Sequence, residues 1–279
     1  MQAFFNRRFI PEKQVKISAF DRGFLYGDGL FETMRIYHGG RFFWLDQHLI
    51  RLYRSLSSLG IKIPYNRVEL EFLLRELVIR NEVRAGFARV VVTRGEGLLG
   101  FSPRGAGAPQ IIMCARPRNL GVWVRQRPIW RLMVAPSPIT TPAVKSLSYL
   151  SHVLAKQEAE RQGYDEAILM NDRGEVVEVT ASNLFIADGK TLMTPPLKCG
   201  CLPGITRKAV LKIAQRDRIK VVEKPIRLKD LKNAGEIFIT NSMLEVVPCV
   251  LGRKAPTKVP ACTLAWQHKF EVFRDRNLM

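Results

Sequence analysis

The sequence predicts a protein of the α/β and α+β type with two domains. Its 279 residues are enough for two cores of ordinary size, and 47% of them are apolar, as in a globular protein. Short apolar runs bounded by turn residues alternate with segments of helical periodicity in both halves. A change of composition at residues 116–131 separates the halves. We therefore predict a small N-terminal α/β domain at 1–118, an interdomain segment at 119–136 and a larger C-terminal domain at 137–279.

The first half begins with strands and two helices. "MRIYHGGRFFWL" at residues 34–45 is a hairpin pattern around a glycine pair. We expect Asp46 to cap a helix that ends at Gly60, and a second helix to begin after Asn66. The residues expected on the buried side of that second helix are Val68, Phe72, Leu73 and Leu77. Apolar strands at 88–95 and 110–115 complete this half. Between them "GEGLLG" has the spacing of a dinucleotide-binding turn, but "FSPRGAGAP" cannot open the helix such a site needs, so we predict a loop.

The second half begins around a lysine. Lys145 follows a strand-like segment at 131–135, and an amphipathic helix is predicted from Leu147 onward, closed by Gly163. The apolar positions of that helix are Leu150, Val153 and Leu154. Two hairpins follow, the second turning at Asp188-Gly189, and then come a helix at 205–215, a strand at 236–240 and an amphipathic tail.

Composition excludes several classes of protein. The 44 Lys and Arg against 25 Asp and Glu give a charge of +19, but the basic residues are spread without long runs or interleaved aromatics, so we predict no nucleic-acid partner. No apolar stretch approaches the roughly 20 residues of a membrane span, and the first residues lack a secretory signal. Five scattered cysteines indicate reduced thiols and a cytoplasmic protein. "CGC" at residues 199–201 has no second ligand pair, so we predict no metal site.

The strongest functional signal is a set of motifs in a fixed order. Lys145 is followed by Glu178 in "EVTASN", by "LPGITR" at 202–207 and by "TNSMLEVVPC" at 240–249. With "FDRGFLYGDGLFET" at 20–33, these motifs resemble the class IV, or fold-type IV, pyridoxal-phosphate enzymes, and the resemblance covers nearly the whole chain. That family contains branched-chain and D-amino-acid aminotransferases and aminodeoxychorismate lyases. The resemblance implies a two-domain fold like that of D-amino-acid aminotransferase. It also implies that the cofactor is held between the two domains, and that the larger C-terminal domain is the PLP-binding domain. A homodimer would supply part of each substrate pocket.

Pyridoxal 5′-phosphate explains why these residue types are needed. The cofactor is an aldehyde that a lysine amine holds as a Schiff base, and Lys145 matches that lysine. The family glutamate that keeps the pyridine nitrogen protonated matches Glu178. Tyr149 would lie near the ring hydroxyl, and Leu202 would pack on the ring face. A phosphate needs backbone amides at a helix N-terminus and a cation. The phosphate-binding residues implied by the resemblance are Arg51, Ile205, Thr206, Asn241 and Ser242.

The loop after "TRG" bears on the substrate. D-amino-acid enzymes commonly trap the substrate carboxylate there with Arg-x-His, whereas this loop carries Leu98 and Leu99. "TRGEGLLGFSP" is closer to the loop of branched-chain enzymes. Arg89 then matches the arginine with which branched-chain enzymes bind the side-chain carboxylate of an acidic co-substrate. Phe31 would form an apolar wall of the pocket. The substrate-binding residues implied are Phe31, Thr33, Arg89, Leu99, Phe101 and Met243.

Three activities therefore stay open, in order of preference. The first is a ping-pong transaminase that passes the amino group of a branched-chain or other aliphatic amino acid, or of glutamate, to a 2-oxo acid. The second is an aminodeoxychorismate lyase making 4-aminobenzoate and pyruvate, because Thr33 in "FETMR" and the segment "TNSMLEV" also match the lyases. The third is a D-amino-acid or (R)-amine transaminase. A nonenzymatic basic binding protein is disfavoured by the complete set of cofactor residues.

Overall fold

The structure, a computed structural model, describes residues 1–119, 128–138, 144–188 and 191–279. The chain divides into two compact units, Met1–Asn119 with Val144–Tyr149 and Asn277–Met279, and Leu120–Ala143 with Leu150–Arg276. Each unit combines one sheet with helices, which agrees with the predicted class. The domain ranges 1–118, 119–136 and 137–279 stay a prediction. The compact units differ from them by placing Val144–Tyr149 and Asn277–Met279 in the first unit, and residues 120–127 lie outside the described part of the chain.

The first unit is built on an antiparallel sheet in the order β2-β1-β6-β5-β3-β4. Its strands are β1 (Gln2–Phe5), β2 (Arg8–Pro11), β3 (Gly29–Tyr37), β4 (Arg41–Phe42), β5 (Gly86–Thr93) and β6 (Gln110–Pro117). Its helices are α1 (Arg22–Tyr26), α2 (Leu45–Leu59) and α3 (Arg67–Arg80), with a 3-10 turn at Glu12–Gln14. The predicted hairpin is confirmed, since Ile36 and Tyr37 pair with Phe42 and Arg41.

One face of this sheet is covered by α2 and α3. Alternation along β3 sends Leu30, Glu32, Met34 and Ile36 to the covered face, and it leaves Phe31 and Thr33 on the open face. The core members from the sheet and the two helices include Val90, Val92, Met113, Leu49, Leu52, Leu70, Leu74 and Leu77. The two faces of β3 therefore carry different chemistry.

The ends of α2 and α3 test the predicted caps. Gly60 ends α2 in the left-handed conformation, and Asn66 begins α3 with a full capping box, as predicted. The predicted cap at Asp46 is wrong. The helix begins two residues earlier, after Trp44 in a left-handed conformation, and Asp46 lies in the first turn. A negative charge in that turn still interacts favourably with the helix dipole.

The predicted buried face of α3 is also wrong in part. Val68 and Phe72 are exposed, and Leu73 is only half-buried. The helix instead buries Leu70, Leu74, Leu77 and Val78. Apolar residues lie on most sides of "RVELEFLLRELVIR", so periodicity does not select the face that packs on the sheet.

The second unit is built on a mixed sheet in the order β12-β11-β10-β13-β14-β7-β8-β9, in which β7 is parallel to β14 and β8, and β11 to β12. Its strands are β7 (Trp130–Val134), β8 (Glu166–Met170), β9 (Val176–Val179), β10 (Asn183–Asp188), β11 (Thr191–Thr194), β12 (Lys220–Glu223), β13 (Glu236–Asn241) and β14 (Glu245–Leu251). Its helices are α4 (Leu150–Arg161), α5 (Ile205–Arg216), α6 (Leu228–Lys232) and α7 (Ala261–Asp275), with a 3-10 turn at Leu197–Cys199. The predicted helix at 205–215 is confirmed.

Both predicted hairpins of this unit pair as expected. Strands β8 and β9 are antiparallel, and so are β10 and β11. Of the turn predicted at Asp188-Gly189, Asp188 is the last residue of β10, and Gly189 lies outside the described residues. No described helix combines the length and the apolar composition that crossing a bilayer requires.

The helix after Lys145 differs from its prediction. It begins at Leu150, and its buried residues are His152, Ala155 and Ala159, of which the alanines pack near β7, β8 and β9. The apolar positions Leu150, Val153 and Leu154 are exposed in the single chain. The small side chains of Ala155 and Ala159 let the helix approach the sheet closely. The face with these alanines therefore packs inside the unit, and the face with Leu150, Val153 and Leu154 does not.

The face of α3 that packs can be tested with two substitutions on the same helix. We expect Leu74→Ala to lower the free energy of unfolding by about 2–5 kcal/mol, because it opens a cavity in a fully buried site. Phe72→Ala should change it by no more than about 0.5 kcal/mol, because that side chain is exposed. Urea unfolding of both variants measures the difference, and equal losses would contradict the packing described here.

Candidate active site

Lys145 lies in a short segment of the first unit that runs beside the start of β3. The amide of Phe31 donates to the carbonyl oxygen of Lys145 at 2.9 Å, and the amide of Leu147 donates to the carbonyl oxygen of Gly29 at 2.9 Å. Ser146 forms an isolated bridge with Leu30 between these bonds. The backbone of the segment is therefore fixed on both sides of the lysine.

This pairing brings the lysine amine to the open face of the sheet. Nζ of Lys145 lies 4.5 Å from the centre of the Phe31 ring and 3.5 Å from the hydroxyl oxygen of Tyr149, a long contact for a hydrogen bond. The Phe31 and Tyr149 rings meet edge to face at 5.2 Å. The lysine is half-buried, and its amine contacts both aromatic side chains.

Arg89 and Thr33 join this group from the same face. Arg89 is the Cα partner of Thr33 across β5 and β3, and its guanidinium carbon lies 4.1 Å from the centre of the Phe31 ring. Burial lowers the pKa of Arg89. Both residues are half-buried. A half-buried cation above an aromatic ring is suited to binding an anionic group.

The loop at residues 95–101 displays apolar side chains. Leu98, Leu99 and Phe101 are 79%, 78% and 88% exposed. No helix opens after "GEGLLG", so the predicted loop is confirmed over these described residues, and the helix of a dinucleotide site does not form. The loop is held through its backbone, and its side chains point outward.

Arg51 is bound on the opposite side of β3, where α2 covers the sheet. Its Nε and Nη2 atoms donate to the two carboxylate oxygens of Glu32 at 2.7 and 2.8 Å. Nδ1 of His48 lies 2.8 Å from Oε2 of Glu32. Glu32 and His48 are fully buried, and the Arg51 side chain is 11% exposed. The carboxylate therefore has a partner on each oxygen.

These contacts determine the charge of the buried groups. Burial alone would raise the pKa of Glu32, but the charge of Arg51 and the hydrogen bonds from His48 and Arg51 outweigh it and lower the pKa to about 2. Burial lowers the pKa of His48. Glu32 is thus a stable anion next to a cation and a neutral imidazole.

Glu178 lies on β9 in the second unit, and its carboxylate is buried. Oε2 accepts hydrogen bonds from the amide of Leu202 at 3.0 Å and from Nδ2 of Asn183 at 3.3 Å. Oε1 faces Nε2 of His152, on α4, at 3.9 Å. Two donors thus fix one oxygen, and the other oxygen faces a histidine.

The N-terminus of α5 is joined to the same group through Asn183. Nδ2 of Asn183 also donates to the carbonyl oxygen of Leu202 at 2.8 Å. A Cβ atom at Gly204, the N-cap residue, would lie 2.0 Å from Oδ1 of Asn183, so a side chain there would displace the Asn183 amide. Ile205 and Thr206 follow in the first turn, buried and without a side-chain cap. First-turn amides of this kind bind anions well.

The turn after β13 contains the remaining predicted residues of this unit. Oδ1 of Asn241 accepts from the amides of Met243 and Leu244 at 2.9 and 2.7 Å, and its Nδ2 donates to the hydroxyl of Ser182 at 2.8 Å. The side chain of Asn241 therefore shapes the turn. Ser242 and Met243 are half-buried within it.

The predicted residues thus fall into two sets. The first unit gathers Lys145, Tyr149, Phe31, Thr33 and Arg89, with Arg51 beneath the sheet and Leu99 and Phe101 on the loop. The second unit contains Glu178, Leu202, Ile205, Thr206, Asn241, Ser242 and Met243. Sequence reasoning missed polar residues that support both sets: Arg22, Glu32, His48, His152 and Asn183. Glu32, Asn183 and Arg22 stand inside the motifs "FDRGFLYGDGLFET" and "EVTASN". The available signal for Glu32 was its position in the same strand alternation as the apolar residues Leu30, Met34 and Ile36.

The family model and the relatives found by comparison with known proteins point to the same family. A family model described as amino-transferase class IV matches residues 29–251. A Methanocaldococcus jannaschii protein, provisionally named a branched-chain-amino-acid aminotransferase, is 43% identical over 99% of this chain and 97% of its own length. The D-alanine aminotransferase of Bacillus licheniformis is 35% identical, covering 89% and 87%. The aminodeoxychorismate lyase of Bacillus subtilis is 32% identical, covering 87% and 84%.

Solved structures agree with these relatives. The chain is similar to the branched-chain amino acid aminotransferase of Escherichia coli, with a TM-score of 0.91, 25% identity and coverage of 99% and 95%. It is also similar to the branched-chain aminotransferase of the archaeon Thermoproteus uzoniensis, solved with norvaline, with a TM-score of 0.88, 29% identity and coverage of 100% and 98%. The predicted fold-type IV architecture is confirmed.

The buried Glu32 should make stability depend on pH. Its folded-state pKa of about 2 lies below the ordinary value of 4.5, so its stabilisation is present above pH 4.5 and is lost as the pH falls towards 2. We expect the wild-type chain to lose roughly 3 kcal/mol more than Glu32→Gln across that range. Urea unfolding at several pH values measures this difference.

The control for that experiment is Glu71→Gln, which removes an ion pair with Arg75 near the surface of α3. It should follow the wild-type pH dependence within about 0.5 kcal/mol. Identical pH dependence in the wild-type chain and Glu32→Gln would contradict the account of the buried carboxylate.

Proposed function

Because the chain belongs to the class IV aminotransferases, we propose that it moves amino groups between an aliphatic amino acid or glutamate and a 2-oxo acid by a ping-pong mechanism. Its cofactor is pyridoxal 5′-phosphate, whose derivatives are bound in similar branched-chain aminotransferase structures solved with pyridoxamine 5′-phosphate and with N-(5′-phosphopyridoxyl)-L-glutamate. When bound, this cofactor supplies an aldehyde that captures amines and a ring that withdraws electrons from the α-carbon. The observation that carries the proposal is the Lys145 amine, half-buried above Phe31 and beside Tyr149.

Lys145 supplies the reactive amine. Its Nζ would hold the aldehyde of the cofactor when it is bound. Once free of the cofactor, Nζ would serve as the base that moves the proton from the α-carbon of the amino acid. The hydroxyl of Tyr149, 3.5 Å from Nζ, would orient the amine and interact with the ring hydroxyl. The fixed backbone on both sides of Lys145 limits the positions that its amine can reach.

Glu178 holds the proton of the pyridine nitrogen. Its carboxylate fits this role because Leu202 and Asn183 fix Oε2, which leaves Oε1 for the ring N–H. The carboxylate is buried, so its attraction for a ring cation is screened little by water. The side chain of Leu202 packs against the ring face.

The phosphate is bound at the N-terminus of α5. The amides of Ile205 and Thr206, the Thr206 hydroxyl and Ser242 supply donors, and the uncapped first turn fits a dianion. Arg51 supplies the cation. Glu32 holds the guanidinium of Arg51 in place through Nε and Nη2. Asn241 contributes by shaping the turn that carries Ser242.

The substrate side chain meets both an apolar wall and a cation. Phe31 and Met243 suit an aliphatic side chain, and so do Leu99 and Phe101, which we infer below to come from the loop of a second copy. Arg89, a half-buried cation over Phe31, suits the side-chain carboxylate of glutamate. One site thereby accepts both halves of a branched-chain and glutamate pair, and the name of the 43% identical relative supports the branched-chain half.

A homodimer completes this proposal. Leu98, Leu99 and Phe101 are almost fully exposed although their loop is anchored, and clustered exposed apolar residues mark contact surfaces. We infer that a second copy covers this loop and that each loop lines the substrate site of its partner. A cytoplasmic location stays a prediction.

Two other activities have specific support. Thr33 lies opposite Arg89 on the open face. Because a 32% identical relative is an aminodeoxychorismate lyase, the second candidate is a lyase reaction in which Thr33 is a catalytic group. Because another relative, 35% identical, is a D-alanine aminotransferase, transamination of D-amino acids is the third candidate activity. Leu98 and Leu99, which carry no charge to trap a carboxylate, favour the aliphatic transaminase.

The half-reactions decide between these activities. We expect L-leucine or L-glutamate to convert the bound cofactor to pyridoxamine 5′-phosphate, with loss of its visible absorption, and a 2-oxo acid to restore it. D-alanine should react at least about tenfold more slowly than L-leucine, a difference of about 1.4 kcal/mol in barrier. Stopped-flow absorbance with each amino acid measures these rates.

Thr33→Ala is the discriminating variant. In the transaminase it lines the pocket, so the leucine half-reaction should keep its rate within about threefold, a loss below about 1 kcal/mol. A lyase would instead release 4-aminobenzoate and pyruvate from aminodeoxychorismate without any oxo acid, and Thr33→Ala would abolish most of that release. Rapid 4-aminobenzoate formation with no pyridoxamine 5′-phosphate from any amino acid would overturn the proposal.

A further inference from the structure

The side chain of Arg22 holds the loop at residues 95–101 through bonds to the loop backbone. Arg22 belongs to neither the cofactor-binding nor the substrate-binding set. Its side chain is 3% exposed, and its donors are directed to different acceptors. Nε binds Oδ2 of Asp28 at 2.9 Å, Nη1 donates to the carbonyl oxygen of Gly100 at 2.9 Å, and Nη2 donates to the carbonyl oxygen of Phe101 at 3.0 Å. A planar guanidinium binds such a set rigidly.

Tyr26 adds a second contact to the same place. Its hydroxyl oxygen accepts from the amide of Gly100 at 3.0 Å, and its ring meets the Phe101 ring edge to face at 5.8 Å. The guanidinium of Arg22 lies over the Tyr26 ring at 5.1 Å. Arg22 and Tyr26 thus bind the amide and the carbonyl of Gly100 and the carbonyl of Phe101.

The base of the loop is held by α1 and the residues before it. The amide of Arg22 donates to the carbonyl oxygen of Gly95 at 2.8 Å, and the amide of Gly97 donates to the carbonyl oxygen of Phe20 at 3.3 Å. A Cβ atom at Gly97 would lie 2.8 Å from Cδ of Arg22, so the loop backbone packs directly on the arginine stem. These anchors use backbone atoms, which leaves the side chains of Leu98 and Leu99 exposed.

We propose that Arg22 is the positioning residue that sets the affinity for the amino donor. It fixes the loop in the conformation that presents Leu99 and Phe101, so less ordering entropy is lost when a substrate binds. Arg22 does not act on the reacting atoms, and therefore it affects binding and not the limiting rate. This inference rests on the proposed function, in which Leu99 and Phe101 contact the substrate.

The chain contains a matched control in Arg94. Its Nε binds the same Asp28 oxygen at 2.7 Å, but its Nη2 donates to the carbonyl oxygen of Leu59 at 3.0 Å and not to the loop. Arg22→Lys and Arg94→Lys therefore both weaken the pairing of Asp28. Only Arg22→Lys loses the bonds to the carbonyls of Gly100 and Phe101, because one ammonium cannot replace the fork of a guanidinium.

The first measurement is hydrogen exchange of the holoenzyme, followed by mass spectrometry of peptides that cover residues 95–104. We expect Arg22→Lys to speed amide exchange in these peptides by about tenfold or more, because loop opening becomes easier. Arg94→Lys should keep their exchange within about twofold of the wild-type chain.

The second measurement is the leucine half-reaction of the holoenzyme at varied leucine concentration. Arg22→Lys should raise the apparent dissociation constant about tenfold and keep the limiting rate within about twofold, and Arg94→Lys should change neither. If Arg22→Lys does not fold, Tyr26→Phe, which removes the hydroxyl that accepts from Gly100, should show the same pattern at about threefold.

Specific outcomes would overturn the inference. Equal effects of Arg22→Lys and Arg94→Lys would assign the role to the Asp28 ion pairs, and a fall in limiting rate with an unchanged dissociation constant would place Arg22 in the chemical step. Faster loop exchange with unchanged leucine affinity would refute the link to the substrate. A wild-type chain with no leucine half-reaction would instead refute the proposed function, while the exchange data would still decide whether Arg22 holds the loop.

Discussion

Backbone hydrogen bonds between residues 145–147 and the first residues of β3 determine where the Lys145 amine lies. The bonds from Phe31 to Lys145 and from Leu147 to Gly29 give the segment the alternation of a strand. Nζ of Lys145 then lies on the open face above the Phe31 ring, beside Tyr149. The placement depends on β3, a strand of the first unit, although the segment follows β7 of the second unit along the chain.

Buried charge is the second constraint, and each unit compensates it locally. Glu32 has Arg51 and His48 as partners, and Glu178 has two hydrogen-bond donors on one oxygen. The two carboxylates differ in what they leave available. Both oxygens of Glu32 are engaged at hydrogen-bond distance, so it supports a neighbour, whereas Oε1 of Glu178 faces the His152 ring at 3.9 Å, beyond hydrogen-bond reach. That difference matches a supporting role for Glu32 and a cofactor role for Glu178.

Local signals predicted much of the fold. The capping residue Asn66, the terminal Gly60 and the glycine pair of the first hairpin each determine local backbone geometry, and the structure agrees with them. The buried faces of α3 and α4 could not be predicted in the same way. Leu74 and Phe72 are both apolar, and which of them is buried depends on how the helix meets a distant sheet.

The candidate site shows the same division. Lys145 and Glu178 were predicted from the motif set, because their residue types follow from the chemistry of the cofactor, and their roles stay a prediction. Arg22, His48 and Asn183 were missed, because their roles consist of contacts with residues far away in the chain, such as the bond from Arg22 to Phe101. Such contacts form only when the sheet and its loops are assembled.

The central claim is that Lys145 carries the cofactor. Borohydride reduction of the holoenzyme, followed by peptide mapping, tests it directly, because reduction fixes the cofactor to the lysine that holds it. Lys156 is the internal comparison, since it also lies over an aromatic ring, that of Trp130, but is paired with Glu166. We expect a single phosphopyridoxyl label, on Lys145. A label on Lys156 or on any other lysine, or no label at all, would contradict it.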